Sequence, residues 1–169
     1  MQKLLTKIGL VLLTLFVALA AVRWPARGST SHLVNRFDQL STSVAGATAT
    51  HLFGFGITDD VTPLGSIEFQ FCSNNPLPGY SCTAPAGMDA SGAVLSAQTG
   101  STGFSVYAPG TTTNTVVLTR APAPPTPPVG YPNTYTISNI INSTTVDTLY
   151  VRVYIYQTTD ASGPDTLTL

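Results

Sequence analysis

The chain has 169 residues, enough for one ordinary domain and a short extension. Only 9% of the residues are charged and the formal net charge is −1. No basic stripe is therefore available for nucleic acid, and no polybasic segment for anionic lipid. The place of charged residues is taken by small and hydroxyl-bearing ones, namely Thr, Ser, Ala, Val and Gly. This composition is typical of exported β-rich proteins.

Residues 1–20 have the pattern of an export signal. Lys3 and Lys7 form a positive n-region, residues 8–19 are apolar, and Ala-Leu-Ala at 18–20 predicts cleavage after Ala20. The alternative is an uncleaved anchor, although the apolar run 8–22 would make ~22 Å of helix against a ~30 Å hydrocarbon core. Either way, an N-terminal signal helix predicts a secreted or cell-surface protein, with membrane contact only through this segment.

Residues 21–45 lack a clear hydrophobic period. They hold the only tryptophan, Trp24, and one of the two histidines, His32. This composition indicates a tether or arm, in which Leu33 to Leu40 could form a helical turn.

Residues 46–169 alternate between short apolar runs and Gly/Pro turns. The clearest runs are 67–71 and 148–157, which have a period of two; residues 53–57, 93–97, 104–107, 115–120 and 135–141 are further strands, and 121–130 is a polyproline loop. About seven to eight such strands predict an all-β fold, an antiparallel β-sandwich of immunoglobulin-like or jelly-roll-like type. A closed barrel is the alternative.

The predicted core consists of the apolar member of each alternating run. It comprises Phe53, Phe55, Ile57, Ile67, Phe69, Phe71, Phe104, Val116, Leu118, Ile137, Leu149, Val151, Val153 and Ile155.

Cys72 and Cys82 are the only cysteines, and both follow the strand at 67–71. A single pair in an exported chain, separated by Pro/Gly turns, predicts a disulfide. Closing this loop should contribute about 2.5–3 kcal/mol in the chain-entropy model.

One face of the strand at 148–157 carries Tyr150, Arg152, Tyr154 and Tyr156. An aromatic row around an arginine suits a half-exposed sheet face, and exposed tyrosines can stack on sugar rings. These four residues are the candidate ligand face.

Catalytic and metal-binding groups are scarce. A Ser-His-Asp arrangement would need His51, which we interpret as a strand residue because no G-x-S-x-G elbow is present. Glu68 lies on the polar face of its strand, so its replacement by alanine should be nearly silent. The turn from Asp160 to Asp165 is the least implausible calcium site. We expect no enzyme activity, no metal site and no cofactor.

Several runs in the region 40–163 resemble a family of uncharacterised exported, β-rich cell-surface proteins from uncultivated bacterial lineages. They are residues 40–51, 65–69, 71–72 with 82–85, 98–104, and the Asn142 turn leading into 150–152. The resemblance implies export, β architecture and a cell-surface setting, and no activity or binding residues. It also implies that a further β-rich part follows the turn at 160–163, so that the domain is truncated at its C-terminus.

Together these features predict a non-catalytic structural or adhesive surface module, for example a fibre or surface-layer component. The alternative is a carbohydrate-binding module that uses the exposed tyrosines, and a secreted hydrolase is a distant third. The expected partners are a second copy of the chain or a surface glycan or protein. Since Thr166 to Leu169 has a strand pattern with no following turn, we also expect one sheet edge to need a further strand, such as the arm of a neighbouring copy.

Overall fold

The computed structural model describes residues 33–57, 63–125 and 132–163. These residues form an all-β structure with eight strands, one short 3₁₀ turn at Ala108–Gly110 and no α-helix. The strands are β1 Leu33–Leu40, β2 Thr48–Ile57, β3 Leu64–Cys72, β4 Val94–Thr99, β5 Ser105–Val106, β6 Thr115–Ala123, β7 Pro132–Ile141 and β8 Tyr150–Tyr156.

The strands make two four-stranded sheets, and every pairing is antiparallel. Sheet A has the order β1-β2-β7-β4, and sheet B has the order β5-β6-β3-β8. The chain changes sheet after β2, β3, β4, β6 and β7, so strands that are consecutive in sequence are often in different sheets.

Aromatic side chains from both sheets meet in one hydrophobic cluster. Phe53 of β2 stacks on Phe69 of β3 with ring centroids 4.4 Å apart, and Tyr135 of β7 lies edge-on to Phe69 at 6.2 Å. The hydroxyl of Tyr135 donates to the carbonyl of Ser101, so its one polar atom is satisfied while burial raises the pKa of the phenol. The period of two in β2 and β3 thus places their apolar residues in a shared core.

Twelve of the fourteen predicted core residues are buried, and the other two, Leu149 and Val151, are half-buried. Leu149 immediately precedes β8 and Val151 is its second residue, and the core is open to one side there. Gly54 of β2 leaves room for a neighbouring side chain, because a Cβ at this position would overlap the ring of Phe37.

The helical turn predicted for Leu33 to Leu40 is wrong, because these residues form β1 and pair with β2. Part of the predicted arm is therefore a strand of sheet A. Its ladder has an irregularity between Val34 and Phe37, and Asn35 has a positive φ of 52°. This bulge breaks the alternation, which is why the sequence shows no strand period here.

The predicted strand 115–120 continues to Ala123, through the first proline of the expected polyproline loop. The signal at 1–20, the arm up to residue 32, loop residues 126–131 and the strand predicted for Thr166 to Leu169 lie outside the described residues.

Candidate functional site: the groove between β1 and β8

A groove of about 470 Å³ runs between the edge of sheet A and the first half of β8. We call it the β1–β8 groove. One wall is β1 from Arg36 to Leu40, the floor includes Phe53 and Phe55, and the other wall is formed by Leu149, Val151 and Val153. Leu149, just before β8, and Val151 and Val153 within it were predicted to be core and thus line an open groove that also carries Arg36 and Asp38.

A second cavity of about 300 Å³ continues the groove, since Leu40 and Leu149 line both. Val146, which is 96% exposed, lines this second cavity. Phe37 on the β1 wall is 47% exposed. Contiguous exposed apolar side chains are unusual on a soluble protein and mark surfaces that contact other molecules.

The β1 wall also carries two charges. Asp38 accepts a hydrogen bond from Nδ1 of His51 at 2.9 Å. Arg36 is exposed and makes no hydrogen bond or ion pair with a described residue. The groove therefore presents the guanidinium of Arg36, which has no partner among the described residues, near the carboxylate of Asp38, which is hydrogen-bonded to His51.

His51 is 3% exposed, and its ring lies between Phe53 and Phe71 at 5.5 Å from each. Its Nε2 atom is buried and has no hydrogen-bond partner among the described residues. Catalysis by a histidine requires a ring nitrogen within hydrogen-bond reach of the reacting group. In this position the His51–Asp38 pair holds β1 against the core.

The disulfide predicted between Cys72 and Cys82 is present, with an S–S distance of 2.10 Å. It closes a loop that folds over the outer face of sheet B. The guanidinium of Arg152 donates to the carbonyls of Asn75, Tyr80 and Ser81 at 2.8–3.3 Å. The loop is thus held by a covalent bond at its ends and by an arginine beneath its centre.

The candidate ligand face is partly covered by this loop. Arg152 is only 1% exposed, so it is not available on an open face as the sequence suggested. Tyr156 is 9% exposed, and its hydroxyl donates to Glu68 at 3.0 Å. Tyr150 and Tyr154 remain half-buried. The expectation that Glu68 is dispensable changes accordingly, because its removal would leave a buried hydroxyl without this acceptor.

Metal-ligating groups are dispersed in the described part of the chain, where no three His, Cys, Asp or Glu side chains come together. The carboxylate of Asp160 accepts from the hydroxyl and the amide of Ser162, and these bonds lower the pKa of Asp160. Asp165, its expected partner in a calcium site, lies outside the described residues.

Comparisons with protein-family models, with curated proteins and with solved structures found no match. Within the described ranges, no helix is long and apolar enough to cross a membrane.

Sequence reasoning missed the β1 wall. A strand is identified by alternating apolar and polar residues, and the inward position of the charged residue Asp38 interrupts this alternation. The bulge also shifts the alternation by one residue. One signal was nevertheless present: Leu33, Phe37 and Leu40 are large apolar residues in a segment predicted to be a tether, and tethers are normally poor in such residues.

Proposed function

We propose that this protein is a non-catalytic structural or adhesive module, exported and displayed at the cell surface, whose two sheets form an immunoglobulin-like or jelly-roll-like sandwich. The observation that carries the proposal is the β1–β8 groove, where exposed Phe37 and Leu40 border a floor that includes Phe53 and Phe55, in a chain with few charges. Such a surface suits an extended polypeptide that adds to the edge of a sheet and inserts alternate side chains.

The disulfide and the signal pattern support the location. A disulfide persists in oxidising compartments and is rare in the cytosol. The loop that it closes has no redox spacing, and the sulfur of Cys72 belongs to a fully buried residue, as expected for a structural bond.

Export can be tested by expressing the full chain, with its own N-terminus, in a bacterial host. We expect protease added to intact cells to digest the protein, and alkylation under non-reducing conditions to find no free thiol. A protein that is protected in intact cells and carries two free thiols would contradict the surface role.

The second candidate is carbohydrate binding, which is favoured by Tyr80. This residue is 62% exposed on the disulfide loop, and its carbonyl is held by Arg152. A rigid, exposed tyrosine is a suitable platform for a sugar ring. A glycan array would distinguish the candidates, since saturable binding that is lost in Tyr80→Ala and kept in Leu77→Ala would favour the carbohydrate module.

A further inference from the structure

Strand β1 is an edge strand whose outer side has no paired strand among the described residues. Exposed edges invite pairing with another chain, and proteins protect them with bulges, prolines or charges. The bulge after Val34 protects one end of β1, whereas the segment from Phe37 to Leu40 keeps a regular register with β2. Both of these apolar residues are more than one-third exposed.

The sequence of β1 is complementary to itself when it is read in the antiparallel direction. If two copies meet at Phe37, the two phenylalanines lie opposite each other and Arg36 lies opposite Asp38. Directly opposite residues on an antiparallel pair have Cβ atoms about 4.5–5.5 Å apart, so opposite charges at such positions attract each other. A two-fold axis at Phe37 forms this charged contact twice.

We propose that the partner of the β1 wall is a second copy of this chain, which pairs β1 with β1 and joins two A sheets into one. This inference rests on the proposed function of the β1–β8 groove and names its occupant. The pairing closes on itself, so it produces a dimer and not the fibre that head-to-tail strand addition would produce.

The charges of the monomer favour this partner. Arg36 has no hydrogen bond or ion pair with a described residue, whereas the other two described arginines, Arg120 and Arg152, each donate to several backbone carbonyls. Arg36 and Asp38 both line the β1–β8 groove and are two residues apart along β1. Each guanidinium can thus reach the carboxylate of the second copy, which His51 holds in place.

Charge reversal provides the test. The protein is purified from whichever cell compartment contains it, with its disulfide intact. Arg36→Asp places aspartates opposite each other, and Asp38→Arg does the same with arginines. We expect each variant alone to weaken self-association about tenfold or more in sedimentation equilibrium, because like charges directly opposite are destabilising. An equimolar mixture of the two variants should restore the dimer, since the two aspartates of one copy then face the two arginines of the other.

Ser96→Asp is the matched control, because it adds a negative charge to β4, at the opposite edge of sheet A. It should leave the association unchanged. A monomeric wild-type protein at all concentrations, a mixture that stays monomeric, or equal weakening by the control would each overturn the proposal.

A cross-link gives a second readout that does not depend on charge. Phe37→Cys should form an intermolecular disulfide on mild oxidation, since residue 37 would face itself across the axis. Gln39→Cys should cross-link more slowly, because residue 39 lies two positions from the axis and would not face itself. Equal rates, or a ladder of higher oligomers, would overturn the two-fold pairing. A surface-exposed monomer would contradict only the dimer, whereas a dimer retained inside the cell would contradict only the surface role.

Discussion

The disulfide loop on sheet B and the β1 edge of sheet A each contain an arginine, in contrasting surroundings. Arg152 is buried under the loop and donates to three backbone carbonyls of the same chain, whereas Arg36 is exposed and donates to no described residue. The outer face of sheet B is thus covered by its own chain, while no described strand covers the β1 edge of sheet A. The contrast separates a region that serves stability from a region that is free to serve recognition.

The core beneath both regions should be the most sensitive part of the molecule. Phe69→Ala removes a ring that contacts Phe53, Phe55 and Tyr135. We expect a loss of about 3–5 kcal/mol in the free energy of unfolding, measured by urea denaturation. Val94→Ala, on a half-exposed position of β4, should cost less than about 1 kcal/mol. Equal losses would mean that the two sheets do not share this core.

The two arginines can be compared directly by the same substitution. Arg152→Met keeps much of the side-chain volume but removes every donor, which leaves the carbonyls of Asn75, Tyr80 and Ser81 without this partner. We expect a loss of about 2–4 kcal/mol in the free energy of unfolding. Arg36→Met should change the free energy of unfolding by less than about 0.5 kcal/mol, when unfolding is measured at protein concentrations too low for self-association. A comparable loss from both would remove the distinction between the two regions.

The disulfide should contribute slightly less than the core. Cys72→Ser with Cys82→Ser releases a loop with a sequence separation of 10. The chain-entropy model gives a loss of about 2.5–3 kcal/mol. Reduction of the wild-type protein is the natural control and should lower the denaturation midpoint by a similar amount. If the β1 region acts independently, neither change should alter self-association.

The smallest expected effect concerns the pair between Glu68 and Tyr156. Glu68→Ala removes the acceptor of a nearly buried hydroxyl, and we expect a loss of about 1–2 kcal/mol. Glu68→Ala combined with Tyr156→Phe should cost less than the sum of the two single changes, because the hydroxyl that needs the acceptor is also gone. Strict additivity would show that this hydrogen bond does not contribute.

The prediction of the fold succeeded where a strand has one buried face. Within β2, β3 and β7, the alternate residues of 53–57, 67–71 and 135–137 are apolar and enter the core, so a local pattern was sufficient there. It failed for β1, where the bulge at Asn35 and the inward charge of Asp38 interrupt the pattern. It also failed for Arg152, since nothing in the local sequence of β8 indicates that a loop from residues 73–81 covers it.

The amino-acid sequence by itself determined the strand content, the position of most of the core and the pairing of the two cysteines. The strands and the core follow from the local period of two in the sequence, and the cysteine pairing follows from there being only two cysteines. The tertiary structure decided which strands lie at the edges of the described sheets and which face is covered. Such outcomes depend on contacts between distant residues, such as Arg152 with Tyr80 and Asp38 with His51, and a local pattern cannot specify them.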